Sequence, residues 1–319
     1  MGKRIFLSLA LLLTTLVSTW AEDVRYIYYR VIDANHDVSL FKTSGTAINP
    51  TVLTSSLLEN SNEDNLDSGW YVLDTSFEYG ERIVISGDVK LILKDGCTLT
   101  AQQGIRINTD ATLTIYAQSE TVGKMGKLVA IETHHDKAAI GGNKNWEAGQ
   151  LYIHGGEIEA TCNDGSKYAA GIGGGYGDGS GMKGITIYGG KVTATGAKSG
   201  AGIGGGKNNN HPGTINIYGG NITAKGGGGA GPQNGASIGA QRAYFKLNGL
   251  TAVTPGSGIN SFALNFGDGE SVTGISLTPD PSPKGEGSDY WYSTDGRRLS
   301  GKPTQKGIYI NNGKKVVIK

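Results

Sequence analysis

A right-handed parallel β-helix, all-β with three short strands per coil, is the fold this sequence predicts, and three observations predict it. The chain of 319 residues holds 53 glycines against 8 prolines. That is roughly twice the usual glycine share, without the proline or the strict three-residue period of collagen. Short blocks recur at spacings of 30 to 35 residues. Within them Ile, Val and Thr alternate with period two, and no stretch shows the 3.6-residue period of a helix.

The first block is Ala139-Ile140-Gly141-Gly142, repeated at Gly171–Gly174 and Gly202–Gly205 and more weakly at Ser237–Ala240. The second is Leu151-Tyr152-Ile153-His154-Gly155-Gly156, then Ile185–Gly190, Ile215–Gly220 and Phe245–Gly249. The third follows directly as Ile158–Thr161, Val192–Thr195, Ile222–Lys225 and Leu250–Val253. Alternation sets Ile185, Ile187, Val192 and Ala194 on one face and Thr186, Tyr188, Thr193 and Thr195 on the other. One such unit cannot bury its apolar face alone, so the units must stack. A propeller would need four antiparallel strands per repeat, and the hand follows from the rule for parallel crossovers.

The remaining elements follow in chain order. Residues 1–21 read as a signal peptide: Lys3 and Arg4, an apolar run from Ile5 to Val17, then Thr19-Trp20-Ala21 as a small-x-small cleavage site. That run is too short to span a bilayer, and no second long apolar run follows, so no membrane span is expected after cleavage. Residues 22–80, with the aromatic run Tyr26–Tyr29, are expected to cap the open end of the helix, because a bare parallel edge aggregates. The β-helix is expected over 81–266, its upstream coils tighter and less marked by glycine. Residues 267–288 form a Pro/Gly linker around Thr278–Gly285, which cannot join a ladder. Residues 289–319 form a small β element ending in a hairpin with an Asn312-Gly313 turn.

Charge is nearly balanced, 29 basic against 28 acidic residues, which gives no footprint for nucleic acid. Cys97 and Cys162 are too few for a disulfide framework, though export would permit one bridge between them. Nothing in the pattern calls for a cofactor.

The central repeat, through Gly171-Ile172-Gly173-Gly174-Gly175 and Ile185-Thr186-Ile187-Tyr188-Gly189-Gly190, resembles glycine-rich secreted β-helix proteins of the pectate-lyase-like superfamily. Many of these are labelled carbohydrate-binding, and the resemblance runs from about Trp70 to Thr254. The tail, through Asp295-Gly296-Arg297, Gly307-Ile308-Tyr309 and the basic end Lys314–Lys319, is similar to the second half of type IX secretion sorting domains. That likeness implies a cell-surface or secreted protein if the tail sorts, and a periplasmic one if it does not.

Lyases of this architecture hold calcium on clustered carboxylates, since the ion takes about six to eight oxygens. The equivalent outward positions here, Glu159, Thr193 or Thr195, Thr223 and Lys225, do not supply such a cluster. Glu157 and Glu159 share a face without the opposed partner an inverting glycosidase needs. They read as a solvated strand face. His134-His135-Asp136 is the densest titratable group and reads as a loop, not a metal site. The more suggestive pattern is a column: Tyr116, His154, Tyr188 and Tyr218 hold one outward position on successive coils. Rings about 4.8 Å apart would form an exposed ladder on which pyranose rings can lie. Cross-strand aromatics also stabilise a sheet without any ligand. Lys167 and Lys198, at matching corners, could attract uronic acids, although lysines at corners are more often simply solvated. The expectation is therefore an exported, non-catalytic β-helix that binds polysaccharide or serves as a surface adhesion module. The alternatives are a polysaccharide lyase or hydrolase with an atypical site, and a purely structural surface protein.

Overall fold

The computed structural model describes residues 21–34, 37–61, 64–121, 123–133, 136–163, 168–209, 213–227, 238–239, 244–247, 250–253, 261–265, 291–293, 298–299, 303–304, 307–311 and 314–318. The signal segment, the Pro/Gly linker, His134, His135 and Lys167 lie outside the described residues.

The chain opens with a long antiparallel hairpin, β1 (Val24–Ala34) and β2 (Asp37–Ala47). The first coil follows: β3 (Thr51–Val52), α1 (Ser55–Glu59) and β4 (Asn65–Leu66). Thr54 caps α1 through Oγ1, which accepts from the amide of Leu57 at 3.1 Å. Leu53, Leu58 and Leu66 turn inward and close this end of the core. Three-strand coils then run β5 (Gly69–Leu73), β6 (Phe77–Tyr79), β7 (Ile83–Ile85); β8 (Asp88–Leu93), β9 (Thr98–Ala101), β10 (Ile105–Ile107); and β11 (Thr112–Ala117), β12 (Lys127–Glu132), β13 (Ile140–Gly141). Further coils are β14 (Ala148–Ile153), β15 (Glu157–Cys162), β16 (Ile172–Gly173); β17 (Met182–Ile187), β18 (Lys191–Thr195), β19 (Ile203–Gly204); and β20 (Thr214–Ile217), β21 (Asn221–Lys225), β22 (Ile238–Gly239). β23 (Tyr244–Leu247), β24 (Leu250–Val253) and β25 (Ser261–Asn265) end this body.

Strands of one kind pair in parallel from coil to coil and make three sheets. The first sheet runs from β4 to β22 through the Ile-Gly blocks, the second from β3 to β23, and the third from β6 to β21. The chain is a right-handed parallel β-helix. Its register stacks like on like: Ala101, Ala130, Ala160, Ala194 and Ala224 on the third sheet, and Leu91, Ile115, Ile153, Ile187 and Ile217 on the second. These side chains are almost wholly buried. Each large one contributes on the order of 1.5–3 kcal/mol relative to exposure.

Glycine explains the first sheet. Gly141, Gly173 and Gly204 share φ of 135°, 135° and 140°. A Cβ on Gly173 would sit 1.9 Å from the carbonyl oxygen of Gly204. The Ile-Gly-Gly block thus marks a corner where neighbouring backbones approach too closely for any side chain.

The structure departs from the sequence-based expectations at several points. Parallel pairing begins at Thr51–Val52 with Tyr71–Val72, well before residue 81, because Val72 and Leu73 already carry the inward apolar pattern. Within residues 22–80 it is the coil of β3, α1 and β4 that closes the helix end, and not the aromatic hairpin. β24 does not complete a third-sheet rung but turns back antiparallel on β23, Leu247 opposite Leu250. The intervening Asn248-Gly249 dipeptide favours a tight hairpin over a continued coil. The vacant place beside β21 is taken by β25, antiparallel. Cys97 and Cys162 are both free thiols, not a bridge.

The C-terminal part forms its own antiparallel sheet of β26 (Trp291–Ser293), β27 (Arg298–Leu299), β28 (Gly307–Asn311) and β29 (Lys314–Ile318). Among the described residues no helix is long and apolar enough to cross a membrane.

Among the described residues the interior carries one ion pair. Arg82 and Glu132 are 9% and 0% exposed and bond to each other. The guanidinium also donates to the carbonyls of Gln103 at 2.7 Å and Ala138 at 2.8 Å. Burial lowers the Arg82 pKa to about 10, against the pull of Glu132, so the group is still charged at neutral pH.

Candidate functional site

The aromatic column exists. Tyr116, His154 and Tyr188 stack on successive coils with centroids 5.0 and 4.5 Å apart and ring planes within 10°. Tyr218 continues the stack at 5.5 Å, and Trp70 leans onto Tyr116 at 5.4 Å. The strand register places all four column residues in one row of the second sheet, above Val72 and Ile92. Its inner neighbours, Ile115, Ile153, Ile187 and Ile217, are core, so the rings point outward.

The column is not an open ladder, however. The β1–β2 hairpin runs lengthwise over it. Val24 and Ala47 pack on Val72 and Ile92 at one end. Tyr26 packs against Trp70 at 4.8 Å and Tyr116 at 4.6 Å. Tyr28 meets His154 edge-on, and the Tyr29 amide donates to Nδ1 of His154 at 3.0 Å. The ring of Tyr29 lies against Gly189, and Leu40 reaches Gly219. Lys42 and Glu120 form an ion pair. Period two in β1 turns residues 24, 26 and 28 toward the sheet, and two aromatic surfaces remove each other from water.

Burial has electrostatic consequences. His154 is 9% exposed, and its pKa falls to about 4. Accepting the Tyr29 amide on Nδ1 leaves the ring proton on Nε2. Burial pushes the Tyr116 hydroxyl up to about 12 and raises that of Tyr188 as well.

Lys198 stands exposed at the corner before β19, away from the column in the strand order, while Lys167 lies outside the described residues. Glu157 and Glu159 are engaged by lysines of adjacent coils: Lys127 reaches Glu159 at 2.7 Å, and Lys191 reaches Glu157 at 2.7 Å. Asp136 pairs with Lys144 at 3.1 Å.

A second aromatic cluster escaped the repeat pattern. It lies on the loops that flank the two-residue strands of the first sheet. Asn143 to Trp146 make a tight turn, with Asn145 in the left-handed region at φ 55°, a conformation asparagine tolerates. This lifts Trp146 out to 60% exposure, with the Arg106 guanidinium 5.1 Å from its ring centre. Tyr168 and Tyr176 lie 4.9 Å apart on either side of β16. Lys207 sits 4.7 Å over Tyr168 and Lys144 5.2 Å over Tyr176. Backbone bonds tie successive loops together, from Asn145 N to Tyr176 O, Gly177 N to Lys207 O and Lys207 N to Tyr168 O. The rings and cations therefore rest on a laddered backbone, not on free loops.

The family described as Beta helix repeat matches residues 151–176, 185–207 and 215–240. Each match begins on a second-sheet strand and ends just past the next first-sheet strand, which is one coil less its turn. No curated protein and no solved structure matches the chain.

Proposed function

We propose that the protein is an exported, non-catalytic β-helix that binds polysaccharide and so serves as an adhesion module at or beyond the cell surface. The observation that carries the reading is the group of exposed Trp146 and half-buried Tyr168 and Tyr176 on loops locked to one another by main-chain bonds. Flat rings with a polar rim, fixed before binding, suit the apolar faces of pyranose rings and lose little side-chain freedom on contact. The lysine partners of Glu157 and Glu159 support the non-catalytic side, since a general acid needs a carboxyl free to hold a proton.

Affinity electrophoresis of the full chain against a panel of plant and host polysaccharides tests this. Retardation by at least one polymer, lost in Trp146→Ala/Tyr176→Ala, is the expected result. Release of unsaturated sugars absorbing in the ultraviolet would overturn the non-catalytic reading in favour of a lyase. Export is tested by fractionation, with the mature chain expected to begin at Glu22 and to leave the cytoplasm.

A further inference from the structure

We propose that the loop platform selects acidic polysaccharide, a chain whose pyranose units carry carboxylate or sulfate, over the neutral chain of the same backbone. This rests on the glycan-binding reading and adds the charge of the ligand to it.

The three rings are each attended by a cation, at 5.1, 5.2 and 4.7 Å from their centres. Energetically significant pairs of this kind occur about once per 70–80 residues. Here three fall on neighbouring coils along the first sheet and its flanking loops. Each cation lies over one face of its ring, and Asp136 holds Lys144 there as well. Arg106 and Lys207 have no carboxylate partner among the described residues, and Lys144 shares its charge with Asp136 at 3.1 Å. The other acids nearby are Glu147, which lies on the Lys183 side, and Asp178 on the Tyr176 loop. Arg106 is the outward middle residue of β10, and Lys144 and Lys207 sit on the loops that follow β13 and β19, so the three span three coil steps, roughly 14 Å along the helix axis. A glycan laid along that axis meets rings for its apolar faces and cations for its anions in alternation. The planar fork of Arg106 suits carboxylate or sulfate equally, in paired N–H···O contacts.

The test uses the full chain and four polymers: polygalacturonate, its methyl-esterified form, dextran sulfate and dextran. Binding is read by affinity electrophoresis and by tryptophan fluorescence, at low salt and at about 0.5 M salt, where the screening length falls below about 5 Å. The acidic member of at least one pair should bind about tenfold or more tightly than its neutral counterpart, with the advantage lost at high salt. The polygalacturonate and dextran sulfate arms separate carboxylate from sulfate as the preferred anion. Arg106→Gln/Lys207→Gln should remove the preference, and Arg106→Lys/Lys207→Arg should keep most of it. Equal binding of acidic and neutral chains would overturn the charge inference and leave the glycan reading standing. No binding to any polymer would overturn both. A preference that survives in the Gln double variant would place the acidic site elsewhere and overturn this assignment.

Discussion

The main-chain amide of Tyr29 and Nδ1 of His154, 125 positions apart in sequence, are joined by a hydrogen bond of 3.0 Å. A hairpin strand thereby uses an imidazole of the coil as its acceptor. The bond exists only while that imidazole is neutral, because His⁺ has donors at both nitrogens.

The docked hairpin should therefore weaken in acid. His154 titrates near 4 when covered and near 6.5 when free. Its depressed pKa means the undocked state binds more protons between those values, so docking is at full strength above about pH 6.5 and declines as pH falls toward 4. The loss approaches on the order of 3 kcal/mol at the acid end. The flanking hydroxyls of Tyr116 and Tyr188, both raised by burial, stay neutral throughout. The protection of the Tyr29 amide, its exchange rate relative to an unstructured amide at the same pH, should fall over this window, and His154→Gln, which keeps an acceptor, should flatten the response. Equal protection at about pH 7 and about pH 4.5 would refute it.

Tyr26→Ala should loosen the same hairpin without melting the coils. It removes contacts with Trp70 and Tyr116 and should cost about 1–3 kcal/mol of docking. Limited proteolysis should then cut between residues 21 and 50 while the rest of the chain resists. Cleavage spread evenly along the chain would instead mean that the hairpin and the coils unfold as one unit.

The interior ion pair should behave as a unit. Arg82→Met or Glu132→Gln alone should each destabilise by about 3–5 kcal/mol, because a buried charge loses its partner. Arg82→Met/Glu132→Leu should cost clearly less than the two effects added. Urea midpoints for the three variants check this, and simple additivity would sink it.

Gly173→Ala should be worse than a core truncation. Its backbone has φ of 135°, and the new methyl would meet the Gly204 carbonyl at 1.9 Å. Ile187→Val, which leaves a small cavity, should cost about 0.5–1.5 kcal/mol. Gly173→Ala should lower the urea midpoint further than that, and a smaller drop would show that the corner has room to shift.

The coils were readable in the sequence because each rung is specified locally. Alternation sets the inward face of Ile185 and Ile187, and Gly173 sets the corner. The hairpin position was not, since Tyr26 and Tyr29 meet Tyr116 and His154 through contacts 90 and 125 residues long that leave no periodic trace. The column itself was found by its period, but its cover was not. Trp146, Tyr168 and Tyr176 were missed for the opposite reason: they sit in corner loops of unequal length, where the repeat breaks. A signal was present in the left-handed asparagines, as Asn145 and Asn208 mark tight loops next to these rings. Arg82 and Glu132 gave no hint, because inward charge contradicts the pattern that predicts every neighbour.

The hairpin also acts as a ruler. Each of its strands has eleven residues, about 34 Å of extended chain, while the rungs from Val72 to Tyr218 rise only about 24 Å. Gene duplication of one repeat would lengthen the stack by a rung and move every later ring out of step with its partner above. The contacts between hairpin and rings thus depend on the number of rungs between Val72 and Tyr218, although the two segments are encoded far apart.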